Sequence, residues 1–113
     1  MLAAALASIV VFVQNGPATE AEKTAAVTAH TNCLLDAARQ FDDGTSDPAS
    51  VALGLEAACG KTLSEVKTVY EQGQAPLAQP GIGDAIEKNA YRGAVLAVLR
   101  MRAMRRKAPN DTK

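Results

Sequence analysis

Beyond the initial Met1, five side chains in this sequence have the chemistry of a reactive thiol or a soft-metal ligand: Cys33, Cys59, His30, Met101 and Met104. His30 and Cys33 stand three residues apart, one helical turn, a spacing at which an imidazole could activate a thiol. One imidazole with two thioethers would suit copper in an oxidising compartment. Simpler roles weigh against both. A single histidine on an apolar helical stripe more often packs than reacts, and a cysteine held in a disulfide offers no thiolate. Neither cysteine belongs to a CxxC, a CxxCH haem site or a four-ligand zinc spacing. Gly81-Ile82-Gly83 lacks the preceding strand, later glycine and lysine of a phosphate loop, and Asp42, Asp43 and Asp47 lack the closing glutamate of a calcium loop. No catalytic residue, metal site or cofactor is therefore expected, and no small-molecule substrate is identified.

Cys33 and Cys59 read as one structural disulfide, the alternative being two buried free thiols in a reducing compartment. The bridge would close 25 intervening residues and contribute about 3–4 kcal/mol in the chain-entropy model.

Helices must position these residues. The chain has 113 residues, 48% of them hydrophobic but only 4% aromatic, and 23 are alanine, which disfavours disorder and points to one small all-α domain. Thr19-x-x-Glu22, Thr62-x-x-Glu65 and Asp84-x-x-Glu87 each pair a side-chain acceptor with an acid three residues on, the pattern of a helix start. Asp47 before Pro48 supplies a fourth start, because proline at the first helical position loses no hydrogen bond. These signals predict helices over 20–42, 48–59, 63–73 and 84–106, with 107–113 fraying. Asp42 to Asp47 forms a solvated turn, Gly60 either breaks or bends the stretch 48–73, and the proline- and glycine-rich 73–83 is the one extended connection.

Apolar spacing assigns the inward faces. Val27, His30, Leu34, Ala37 or Ala38, and Phe41 share a stripe with Cys33 beside it, and Val51, Leu55, Ala58 and Cys59 share another. The short turn lays these two helices antiparallel and brings the cysteines to comparable distances from it. Ile86, Ala90, Ala94, Ala97, Met101 and Met104 line one face of the last helix. Val95, Leu96, Val98 and Leu99 make that helix apolar on every side, so the segment is either buried or partly left to contact a protein partner or a second copy.

Leu2 to Val13 is a run of twelve uncharged residues followed by Gly16-Pro17-Ala18. That length fits a secretory signal over 1–18, cleaved after Ala18, better than a membrane span of about 20 residues, although no basic residue precedes it. The mature domain would be 19–113, in the periplasm. The alternative is a retained anchor in the inner membrane, facing the same compartment.

The formal charge of zero hides a dipole: residues 19–73 hold nine acids and four bases, whereas 74–113 hold three acids and eight bases. Arg100, Arg102, Arg105, Arg106 and Lys107 crowd the end of the last helix, where cations complement exposed carbonyls and acidic neighbours. The sharper alternative is a basic patch for an anionic membrane surface or an acidic protein. Nucleic acid is not expected, because no aromatic side chain is interleaved with the arginines for base stacking.

The stretch from Cys33 to Cys59, with Phe41-Asp42-Asp43-Gly44-Thr45-Ser46-Asp47-Pro48, Val51-Ala52 and Ala57-Ala58-Cys59, resembles a group of small exported two-cysteine helical proteins of alphaproteobacteria. The resemblance implies a periplasmic helical hairpin clasped by a disulfide around the turn, and it carries no catalytic residue or ligand. Small acid-stress chaperones of the periplasm are similar in size and cysteine count, but their wider cysteine spacing does not match. The expectation is an all-α bundle of about four helices that acts, without catalysis, through contacts with another macromolecule.

Overall fold

A computed structural model describes residues 16–111, with side chains through residue 107. The expected leader, 1–18, lies outside the described residues apart from its last three. The described chain is all helical: α1 (Glu20–Phe41), α2 (Pro48–Ala58), α3 (Gly60–Glu71) and α4 (Gln79–Asp111). Among the described residues no helix is long and apolar enough to cross a membrane.

Local chemistry fixes the first two starts. Thr19 Oγ1 accepts from the Glu22 amide at 3.1 Å while Glu22 Oε1 accepts from the Thr19 amide at 3.1 Å, a complete capping box. Asp47 accepts from the Ser50 amide at 3.2 Å, and Pro48 opens α2. The other two expected starts are corrected. Thr62 lies inside α3, which begins at Gly60, and Asp84 lies inside α4, which begins five residues earlier at Gln79. Pro80 sits in the first turn of α4, where its fixed φ suits a helix and its missing N–H costs nothing. That helix continues to Asp111, past the expected fraying point.

The stretch 48–71 is two helices, α2 and α3, that meet at a bend with no loop between them. Cys59 ends α2 and precedes α3, its amide donating to the Leu55 carbonyl at 2.9 Å and its carbonyl accepting from Leu63 at 3.1 Å. Helical hydrogen bonding therefore runs up to and away from the bend, which falls at Cys59 with Gly60 beside it. The bend shares this stretch between two neighbours: α2 packs mainly on α4, and α3 mainly on α1. The four helices thus form three rods, with α1 and α4 parallel and α2–α3 returning between them.

The central cluster comprises Leu34, Ala37, Ala38, Ala52, Leu55, Cys59, Ala94, Ala97, Val98 and Met101. Half of these are alanine, so the rods approach closely but bury little apolar surface per residue. Cys59 is fully buried at this centre, and its sulfur is bonded to that of Cys33, with the Cα atoms 6.0 Å apart. The bridge joins the middle of α1 to the bend of the returning rod.

Four of the expected inward residues are exposed, Val27 among them at 40%. Phe41 is 66% exposed and Met104 56% exposed, and Ala58 is on the surface as well. Phe41 is the last residue of α1 and Met104 lies beyond the last core residue of α4, Met101, so their periodic stripes continue past the packed core.

The connection between α3 and α4 also holds the N-terminal end of the described chain. Gln72 Nε2 donates to the Gly16 carbonyl at 2.7 Å, and Ala18 is buried. Gly73 has φ +77°, and a Cβ there would lie 2.8 Å from the backbone of Pro17. Glycine is required at that crossing by its conformation and by the close approach. Lys23 Nζ lies 5.4 Å from the centre of the Tyr70 ring and ties the same corner together.

Candidate functional site

Three places in the fold gather polar chemistry: the arginines at the end of α4, the outward face of α4, and the histidine beside the disulfide.

Arg102 and Arg105 are one helical turn apart on α4 and both turn inward onto the end of α1. Arg102 makes a fork on Asp42, with Nε 3.0 Å from Oδ2 and Nη2 2.8 Å from Oδ1, and it also donates to the Ser46 carbonyl. Arg105 donates to the carbonyls of Asp42 at 2.9 Å and Arg39 at 3.0 Å, and more distantly to Ala38. The Ala38 carbonyl already accepts from the Asp42 amide, but the last carbonyls of a helix lack intrahelical donors, and Arg105 supplies one to Arg39 and to Asp42 just beyond it. The Asp42 side chain is fully buried. The Arg102 hydrogen bonds, above all, hold its carboxyl below the usual carboxylate range.

Two expectations are corrected here. Asp42 accepts from the Gly44 amide in the turn at 3.1 Å, but its side chain is a buried ion-pair partner rather than a solvated one. Arg102 pairs with an acidic neighbour, the first of the two readings of this cluster, and neither it nor Arg105 belongs to an outward basic patch. Asp43 does remain on the surface. The Ser46 hydroxyl and the Ser46 and Thr45 amides donate to it and hold its carboxyl far below the usual range. Gly44 takes φ +82° in the same turn.

The remaining basic residues of this group, Arg100, Arg106 and Lys107, are exposed. Helical spacing places Arg92, Leu96, Leu99, Arg100, Ala103 and Lys107 on one side of α4, opposite Ala94, Val98 and Met101. Leu96 is 61% and Leu99 46% exposed. Of Val95, Leu96, Val98 and Leu99, only Leu96 and Leu99 are exposed. Val98 has no exposed surface and belongs to the core, and Val95 packs against the core from its edge. The outward face is therefore a narrow apolar strip bordered by cations.

His30 Nδ1 lies 2.8 Å from Thr62 Oγ1, and Thr62 Oγ1 donates to the Cys59 carbonyl at 3.0 Å. A hydroxyl has one proton, and with that proton on the Cys59 carbonyl the oxygen accepts from Nδ1–H. Nε2 then carries the lone pair. It is buried and has no hydrogen-bond partner among the described residues. Burial lowers the histidine pKa and so keeps the ring neutral at pH 7. Thr62 is thus neither a helix cap nor a spectator but the link between His30 and the bend at Cys59. Sequence spacing had joined His30 to Cys33, and the partner that the fold supplies is 32 residues away in the chain.

Among the described residues no group of three or more His, Cys, Asp or Glu side chains is placed to hold a metal ion. Met101 is buried and Met104 exposed, so only one of the two thioethers lies in the core. Glu56 has one buried carboxylate oxygen without a partner, and burial, with Glu87 nearby, raises its pKa. Glu87 itself pairs with Lys67 between α3 and α4. No family model, curated protein or solved structure matches the chain.

Proposed function

We propose that this is a non-enzymatic, exported helical protein that acts by docking the outward face of α4 on an acidic surface of a partner protein. The observation that carries the reading is the exposure of Leu96 and Leu99 between Arg92, Arg100 and Lys107 on one helical face. An isolated exposed leucine means little, but two at helical spacing within a cationic border supply both an apolar anchor and a charge preference. Arg102 and Arg105 are committed to α1 and would stay in place on docking.

The disulfide supports export, since such bonds persist in oxidising compartments. Leu2 to Val13 is the segment that would direct it, and the resemblance of Cys33–Cys59 to small exported helical proteins agrees.

Two measurements test the reading. Intact mass from a diderm host, with and without reduction and alkylation, should give a shortened chain whose thiols react only after reduction. A full-length mass with two alkylatable thiols would overturn export. For docking, a photo-crosslinking residue at position 96 or 99 should give a protein adduct in cells that a residue at exposed Glu65 does not, and Arg100→Glu with Lys107→Glu should abolish it. Equal adducts at all three positions, or crosslinks to lipid in place of protein, would overturn it. Leu96→Asp should keep the fold, within about 0.5 kcal/mol, because the side chain is on the surface.

A further inference from the structure

We infer that the groove between α1, α3 and α4 is a binding site for a small neutral molecule with an apolar body and a single hydroxyl donor, which the lone pair of His30 Nε2 accepts. This goes beyond the docking face, which lies beside the groove and farther along α4 and uses none of the same residues.

The groove has a volume of about 280 Å³. Val27, Leu63, Val66 and Ile86 supply much of its apolar wall, and Gly93 leaves room where a side chain would otherwise intrude. No charged side chain lines it, which selects against ions. An apolar cavity of about 150 Å³ already accommodates benzene, so this volume suits one ring or a short branched chain with a substituent.

His30 is the one buried polar side chain of the lining, the others, Thr31, Tyr70 and Asn89, being at least partly open to solvent. Its ring is 7% exposed, and Thr62 fixes which nitrogen bears the proton. Nε2 is an acceptor with no protein donor, and a buried acceptor left unpaired is unfavourable by more than a typical hydrogen bond is favourable. A ligand hydroxyl would satisfy it, whereas a carbonyl or an ether offers no proton and would leave it unsatisfied. Nε2 has almost no accessible surface, so seating the hydroxyl requires the side chains around the imidazole to part slightly. Val27 and Tyr70 line the groove and are partly exposed, so both have room to move.

Phenol and toluene are suitable probes because they differ by the hydroxyl. Titration of the oxidised, full chain should show phenol binding that falls at least about tenfold in His30→Phe, while toluene binding is retained or strengthened. The His30 Nε2 nitrogen resonance of the unaltered protein should move with phenol and stay with toluene. If His30→Phe does not fold, that resonance decides alone. Phenol that binds equally well to His30→Phe, fails to bind at its solubility limit, or leaves the Nε2 resonance unmoved would overturn the assignment.

Discussion

Asp42 carries more of the fold than any other charged side chain described. It sits where α1 ends, accepts the Arg102 fork, and offers its carbonyl to Arg105, so one residue joins the first helix to the last. A buried carboxylate with a fork partner is strongly destabilising to break on one side, because the other charge stays behind. Asp42→Ala should lower unfolding stability by about 3 kcal/mol, measured by denaturant titration. The same pairing sets an acid limit. The folded carboxyl has a lowered pKa, so its contribution is fully present above the unfolded value near 3.9 and is lost as pH falls through the folded value. The wild type should therefore lose stability below about pH 4 more steeply than Asp42→Ala. None of this pairing was legible residue by residue in the sequence. The charge difference between the two parts of the chain was visible, but which arginine meets which acid depends on a separation of 60 residues. The Thr62 link to His30 was hidden for the same reason, and Thr62 carried a misleading local signal as well.

At the scale of helices, the bend at Cys59 decides the architecture. It lets one rod cover two neighbours, and the disulfide holds the bend against α1. Replacing both cysteines by alanine should lower stability by about 3–4 kcal/mol, read as a shift in denaturant midpoint. Gly54 lies within α2, and a Cβ there would meet nothing within 4 Å. Gly54→Ala should raise stability by about 0.5–1 kcal/mol in the same titration, through helix propensity alone. Capping signals located the starts of α1 and α2 correctly because both starts follow loops in which the cap can act. They failed for α3 and α4, where the helical backbone begins upstream and Thr62 and Asp84 are carried inside. Periodicity found the core positions Leu34, Leu55, Ala94 and Met101, whose neighbours cover them. It overreached at Phe41 and Met104, since an apolar stripe carries no mark of where the opposing rod stops.

For the molecule as a whole, the crossing at Gly73 shows that residues 16–18 pack as part of the domain, although small residues at those positions read as a cleavage site. Gly73→Ala should destabilise a chain that retains residues 16–18 by more than it destabilises one beginning at Thr19, where only the positive φ remains as a cost of about 1 kcal/mol. Paired thermal melts of the two lengths would check this, and equal losses would show the crossing to be unimportant. The crossing also gives the domain a polarity. The chain meets the domain at the corner of Gln72 and Gly73, beside the start of α4, while Arg102 lies 23 residues along that helix from Gln79, about 35 Å away. Only Gln14 and Asn15 separate Leu2–Val13 from this corner. A bilayer that held that segment would therefore have the start of α4 at its surface, with the basic end standing clear in an upright domain. Contact of both ends with one membrane would require α4 to lie flat, with Leu96 and Leu99 pressed against lipid and withdrawn from any protein. Were that segment retained rather than cleaved, tethering and the proposed docking through α4 would be compatible only in a molecule that stands upright, with the face of Leu96 and Leu99 along its side.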